Sequence, residues 1–236
     1  MSTVLITGAN KGIGFATAKK FLSEGYNVII SGRNEERLKA AKERLGGNTE
    51  YILWDVSDIS QAPLVMEQAH LFFGNIDTFI NNAGIVKDEP GDFFKKTEKH
   101  WDATMNTNLK GLFFGIQAEA KYMKENKIAG HIVNVCSEMG IRAARDSYSI
   151  SKWGAVGLTK GLAIGLMREN IILNGIAPGE TATEILHQEE GVPFKMNSPR
   201  GERAMPMEIA EEIFFLATRK NIIGEVLVSD GGRSLY

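Results

Sequence analysis

An α/β fold, a parallel sheet covered by helices on both faces, is predicted by three features of the chain. Seven short apolar, β-rich runs alternate with helical patterns along its length. The first run, Thr3 to Ile6, opens directly into a glycine turn and a helical pattern. No linker-like run, repeat or low-complexity segment breaks the 236 residues, so one domain over 1–236 is expected.

The elements follow in order. The glycine turn T-G-A-N-K-G-I-G spans Thr7 to Gly14, and the helical pattern after it runs to Glu24. Gly8, Gly12 and Gly14 let the backbone approach a pyrophosphate, and the helix start supplies unpaired N–H groups and a positive dipole end. Counted from Gly12 as G-x-G-x-x-G, Thr17 stands where a third glycine would be. Asn27 to Ser31 reads as the second strand and Glu35 to Leu45 as its helix, stopped by Gly46-Gly47. Tyr51 to Trp54 is the third strand, ending at Asp55. Ile59 to Phe73 is helical, with Pro63 in its first turn. Ile76 to Ile80 is the fourth strand, closed by Asn81-Asn82-Ala83-Gly84.

Val86 to Lys99 is polar and irregular, with a turn at Pro90-Gly91. A long helix follows, Trp101 to Asn126, whose stripe of Leu109, Leu112, Phe113 and Ile116 reads as core or subunit contact. Gly130 to Val135 is the fifth strand. Ser147 to Arg168 is a helix on which Gly154, Gly157, Gly161 and Gly165 open one face to close packing. Ile171 to Ile176 is the sixth strand. Thr181 to Met205 has no clear period, and a substrate lid is expected around 181–205. Glu208 to Thr218 is a helix, Glu225 to Val228 the seventh strand, and Asp230-Gly231-Gly232 follows.

Composition narrows the function classes. Hydrophobic content of 43% and charged content of 24% are ordinary for a soluble globular protein, and a net charge of −2 gives no attraction to nucleic acid or an anionic membrane. One cysteine, Cys136, excludes an intrachain disulfide and a cysteine metal cluster. His70, His100, His131 and His187 show no metal-ligand spacing, so no metal is expected. There is no basic n-region before the first apolar run and no apolar run near about 18 residues. The expectation is a cytoplasmic protein.

The chemistry concentrates between Cys136 and Lys152. Tyr148 and Lys152 stand four apart, on one face of the predicted helix. A lysine ammonium near a phenol favours the phenolate, and a tyrosine so tuned exchanges a proton in a transition state. Ser137 is placed to hydrogen-bond the oxygen that receives that proton. A tyrosine–lysine pair at this spacing is by itself usually a solvated helix face, and the motifs preceding it alter that reading.

Together these motifs resemble the short-chain dehydrogenase/reductase family over nearly the whole chain. Thr7 to Gly14 is similar to its cofactor loop, including Asn10, Lys11 and Ile13. Asp55-Val56 is similar to its adenine-contacting pair, and Asn82-Ala83-Gly84 to the end of its N-N-A-G motif. Asn108, Ser137, Tyr148 and Lys152 resemble its catalytic tetrad. Asn174, Pro178-Gly179, Thr181 and Thr183 resemble its segment after the sixth strand. The resemblance implies a Rossmann-like, doubly wound α/β/α sandwich with sheet order 3-2-1-4-5-6-7 and hydride transfer between nicotinamide and a carbonyl or alcohol. It also implies that Ser137 and Tyr148 hold the substrate oxygen, that Tyr148 moves the proton, that Lys152 holds the nicotinamide ribose and that Asn108 positions a relay water. A dimer or tetramer is implied as well, with the 101–126 and 147–168 helices at the interface.

The second strand ends Ser31-Gly32-Arg33-Asn34, without the acid that favours NAD. Arg33 offers a guanidinium fork to a 2′-phosphate, and Lys11 is a second cation, so NADP(H) is the expected cofactor. Ser137 and Tyr148 are only eleven apart, shorter than usual in the family. Glu138 is expected to face solvent or pair with Arg142 or Arg145, with a carboxylate at the substrate rim as the sharper alternative. Cys136 is expected to be a buried small residue, and His187 falls in the lid. The leading function is a carbonyl reductase or alcohol dehydrogenase, with 3-oxoacyl-thioester reduction as the branch guess. Sugar, steroid or small-ketone substrates are the alternatives. A catalytically silent NADP-binding sensor or scaffold is the reading from another class. A nucleotide-sugar epimerase is disfavoured by chain length.

Overall fold

The computed structural model describes residues 1–86, 93–183 and 199–235. Among these, β1 (Thr3–Thr7), β2 (Asn27–Gly32), β3 (Thr49–Leu53), β4 (Thr78–Asn81), β5 (Gly130–Val135), β6 (Ile171–Pro178) and β7 (Val226–Ser229) form one sheet. Its order is β3-β2-β1-β4-β5-β6-β7, with parallel pairing throughout. The expected strand count, order and direction are all present, with strand ends moved by one or two residues.

The strands alternate their side chains between two apolar layers. Leu5 and Ile29 join a core with α3 (Ala62–Phe73), α5 (Gly111–Glu125) and α6 (Ser147–Met167). Val4, Ile6, Val28 and Ile30 join a second core with α1 (Gly12–Ser23), α2 (Glu35–Leu45) and α7 (Pro206–Thr218). The result is the three-layer sandwich of a doubly wound fold.

Local signals fix the helices that matter for the site. In α2, Asn34 Oδ1 accepts from Arg37 N at 2.9 Å. Glu35 and Glu36 sit in the first turn of α2 and Lys42 and Arg44 in the last, which suits the helix dipole. In α6, Asp146 and Ser149 form a capping box: Ser149 N donates to Asp146 Oδ1 at 2.7 Å, and Asp146 N donates to Ser149 Oγ at 3.2 Å. That box sets where the helix begins and so where Tyr148 and Lys152 lie on it.

One helix differs from expectation. The segment read as Trp101–Asn126 begins earlier, as α4 (Glu98–Met105), and passes through a π-helical turn, Asn106–Lys110, before α5. A π turn inserts one residue into the helical period, which a loosely spaced apolar stripe does not reveal. The expected lid falls largely on 184–198, outside the described residues. The two ends of that segment meet, with Ala182 N donating to Ala204 O at 2.9 Å and Ala204 N donating to Glu180 O at 3.2 Å.

Candidate active site

The sheet order reverses between β1 and β4, and a cleft of about 660 Å³ opens beyond the C-terminal ends of the central strands. Gly8, Asn10, Lys11, Gly12, Ile13 and Gly14 line one part of it. Gly8 and Gly12 hold φ of +66° and +58°, a left-handed conformation that side chains resist. A Cβ at Gly14 would lie 2.5 Å from Asn82 Nδ2 and 2.8 Å from Gly8 O, so only glycine lets α1 pack this closely on the turn. Asn82 locks the turn from β4. Its Nδ2 donates to Thr7 O at 2.8 Å and Gly8 O at 3.2 Å, while Thr7 Oγ1 accepts from Asn82 N and Ala83 N at 3.0 and 2.9 Å. The Lys11 side chain makes no cap bond to the first turn of α1, and the positive dipole end of that helix borders the cleft.

Beside this turn, the end of β2 brings Gly32 and Arg33 to the cleft, and α2 adds Arg37. Arg37 escaped the sequence reading, although a cation one helical turn after Arg33 was visible. Asp55 and Val56 line the cleft after β3. Asp55 Oδ1 is fixed by Ser57 N at 3.0 Å and Ser57 Oγ at 2.7 Å. Pro178, Gly179, Thr181 and Thr183 line the opposite wall after β6, and Thr183 Cγ2 would stand 3.3 Å from a Cβ at Gly12.

The four residues expected to carry chemistry come from three elements and converge. Lys152 is buried, donates from Nζ to Val135 O at 2.9 Å and lies 5.7 Å from the Tyr148 ring centroid. An ammonium has three donors, so two remain for other partners. Ser137 Oγ accepts from Met139 N at 3.2 Å at the start of a short 3₁₀ turn, Glu138–Gly140. That turn makes the short connector possible: a Cβ at Gly140 would lie 2.5 Å from Lys152 O, so the turn packs directly on α6. Asn108, in the π turn, is buried and bonded on both sides to the Ile85 backbone. A Cβ at Gly84 would stand 3.5 Å from Asn108 Oδ1 and 3.7 Å from Lys152 Nζ, which puts three motifs at one point. Ser137 and Tyr148 line the same cleft.

Glu138 corrects one expectation. It is 3% exposed rather than solvent-facing, and it pairs with Arg142 at 3.4 Å as expected. Its nearer partner is Arg233, at 2.8 Å, too distant in sequence to be foreseen. Burial pushes the Glu138 carboxyl above its ordinary range, and the two arginines oppose that push. Cys136 is buried as expected, and burial pushes its thiol up to about 11 despite the nearby Lys152, which leaves it unreactive. Met139, Glu180 and Arg233 also line the cleft and carried no recognisable sequence motif.

A parallel sheet with a glycine cradle at its switch point and a Ser–Tyr–Lys cluster at the same cleft defines a dinucleotide-binding oxidoreductase. The family model described as short chain dehydrogenase matches residues 2–191. The chain belongs to the short-chain dehydrogenase family. It is 38% identical to the 3-oxoacyl-[acyl-carrier-protein] reductase FabG of Thermotoga maritima, over 97% of this chain and 96% of that protein. It is 36% identical to the (2S)-[(R)-hydroxy(phenyl)methyl]succinyl-CoA dehydrogenase subunit BbsD of Thauera aromatica, over 98% and 96% of the two chains. Among solved structures, ElxO with NADP bound matches with a TM-score of 0.89 and 31% identity, over 100% of this chain and 99% of that one.

Proposed function

We propose that this chain is an NADPH-dependent reductase of a carbonyl substrate, of the 3-oxoacyl-thioester class. The observation that carries the reading is that Ser137, Tyr148 and Lys152 line the same cleft as the glycine cradle, with Asn108 buried beside Gly84 and Lys152. NADPH fits the residues present. Gly14 lets α1 pack closely on Asn82 and the Gly8 turn, the positive dipole end of α1 borders the part of the cleft that would take the pyrophosphate, and Asp55 and Val56 line the part that would take the adenine. Arg33 and Arg37, with Lys11 in the loop, suit a 2′-phosphate, and Gly32 leaves room for it. Asn82, Ala83 and Gly84 line the cleft between them, and Pro178, Gly179, Thr181 and Thr183 line the wall that would take the nicotinamide end.

When bound, the cofactor supplies the hydride. The Ser137 and Tyr148 hydroxyls hold the substrate oxygen, and Tyr148 gives that oxygen its proton. Lys152, anchored by Val135 O, lies 5.7 Å from the Tyr148 ring centroid and would hold the ribose with its remaining donors. Asn108 shapes the backbone beside Lys152 for a water that returns the proton. The two relatives named above carry a CoA or acyl-carrier-protein substrate in their names, which supports that substrate class. One domain carries both binding and chemistry, in a cytoplasmic homo-oligomer. The glycine face of α6 supports the assembly: a Cβ at Gly157, Gly161 or Gly165 would meet nothing within 4 Å among the described residues, and Trp153 and Ile164 beside them are exposed.

NADPH oxidation with acetoacetyl thioester tests the substrate class. Turnover supports it. NADPH binding without turnover on any carbonyl would instead favour a silent sensor.

A further inference from the structure

Arg233 reaches the cleft from the far end of the chain. It sits just after β7, in a short 3₁₀ turn, Arg233–Leu235, held by Asp230. Asp230 Oδ1 accepts from Gly232 N at 2.9 Å, and its Oδ2 from Ser234 N at 2.6 Å. A single atom of Arg233, Nη1, donates to Glu138 Oε1 at 2.8 Å and to Glu180 Oε1 at 2.6 Å. Nε and Nη2 have no partner among the described residues. Glu138 and Glu180 are held in turn from behind, by Arg142 at 3.4 Å and Arg203 at 2.8 Å. All three cleft-facing members, Glu138, Glu180 and Arg233, lie on the wall next to Ser137.

The charges of this network balance. Arg142, Arg203 and Arg233 face Glu138, Glu180 and Asp230, so an incoming anion meets little net attraction. The carboxylates clamp the guanidinium in one orientation, and its remaining N–H groups stay available as donors. A fixed donor without net positive charge suits a neutral acceptor oxygen. Glu138 joins this donor to the reacting centre, since it follows Ser137 directly and starts the turn that Ser137 caps.

We infer that Arg233 is a specificity-determining residue that hydrogen-bonds a second, uncharged oxygen of the substrate, such as an ester or thioester carbonyl near the reacting ketone. Glu138 and Glu180 are positioning residues that aim it. This inference rests on the reductase reading above and deepens it.

The test compares NADPH-dependent kcat/KM for ethyl acetoacetate, its free acid acetoacetate and the monoketone 2-pentanone. The wild type should prefer the neutral ester to both. Arg233→Met should lower the ester-to-monoketone ratio by roughly ten- to hundredfold, as expected for losing one hydrogen bond to a charged group. Arg233→Lys keeps a cation against Glu138 and loses the fork, and should lower the ratio by less. Parallel losses on ester and monoketone would mean a structural role only and overturn the inference. If neither variant folds, the wild-type comparison decides alone: acetoacetate used as well as its ester overturns the inference, and a strong preference for the ester supports it. Turnover of 2-pentanone without preference for the ester defeats this inference and leaves the reductase reading standing. Wild type silent on all three ketones and on acetoacetyl thioester defeats both.

Discussion

Asn108 and Ile85 exchange two hydrogen bonds, Ile85 N to Asn108 Oδ1 at 2.8 Å and Asn108 Nδ2 to Ile85 O at 2.9 Å. The side chain thereby acts as a strand partner for the loop after β4, and the π turn of Asn106–Lys110 delivers it there. Gly84, one residue before Ile85, lies between Asn108 and Lys152. Fold and chemistry therefore depend on the same amide.

Asn108→Ala should remove both bonds and leave the Ile85 backbone groups unpaired. The expected cost is about 1–3 kcal/mol. For a chain of this size each kcal/mol corresponds to roughly 2–4 °C in Tm. Turnover should fall as well, because the Gly84–Ile85 backbone borders Lys152. Calorimetry and steady-state rates check this, and an unchanged Tm would show that the pair contributes little.

Gly14→Ala should damage cofactor binding and folding together. The new methyl group would stand 2.5 Å from Asn82 Nδ2 and 2.9 Å from Ala9 Cα, and overpacking of this kind typically costs about 1–3 kcal/mol. Fluorescence titration with NADPH should show affinity at least tenfold weaker. Equal affinity would mean that the turn relaxes without loss.

Arg33 and Arg37 should separate the two nicotinamide cofactors. Replacing both with alanine should weaken NADPH binding by roughly ten- to hundredfold, the scale of one or two charge-assisted bonds. NADH binding should change far less. Equal losses for both cofactors would place the arginines away from the 2′-phosphate.

The Cys136 thiol should resist alkylation in the native protein at pH 8. It is 3% exposed, and burial pushes its pKa up to about 11, so almost no thiolate is present. Mass spectrometry after iodoacetamide treatment should show modification only in denaturant.

His131 gives a pH signature. Burial holds its imidazole below the ordinary value near 6.5, and its Nδ1 has no hydrogen-bond partner among the described residues. The unfolded chain then binds a proton that the fold refuses, so stability falls as pH drops through about 6.5 and the loss levels off below the folded pKa. His131→Gln should flatten the slope of stability against pH in that window. An unchanged slope would assign it to other groups.

Local signals made most of the fold legible. Alternating apolar runs, the Asn34 cap, the stop at Gly46 and Pro63 in the first turn of α3 all act within a few residues of where they are read. The tetrad and cofactor loop were legible because their spacing is local and motif-like. What stayed hidden depends on contacts across the chain. Glu138 and Arg142 are four apart in sequence, a spacing at which pairing is legible, whereas Arg233 meets Glu138 only because β6 and β7 bring the end of the chain back to the cleft. The π turn was hidden because Leu109, Leu112 and Ile116 fit a continuous helix about as well as an interrupted one. Arg37 belongs to no motif, and only the folded cleft brings it together with Arg33.

The central claim is that Tyr148 gives the proton to the substrate oxygen. Its most direct test is NADPH oxidation with acetoacetyl thioester by the wild type and by Tyr148→Phe, alongside NADPH affinity for both. The account predicts a loss of about 10²–10⁴ in kcat for the variant, with cofactor affinity changed only slightly. A variant that keeps most of the wild-type rate would contradict it.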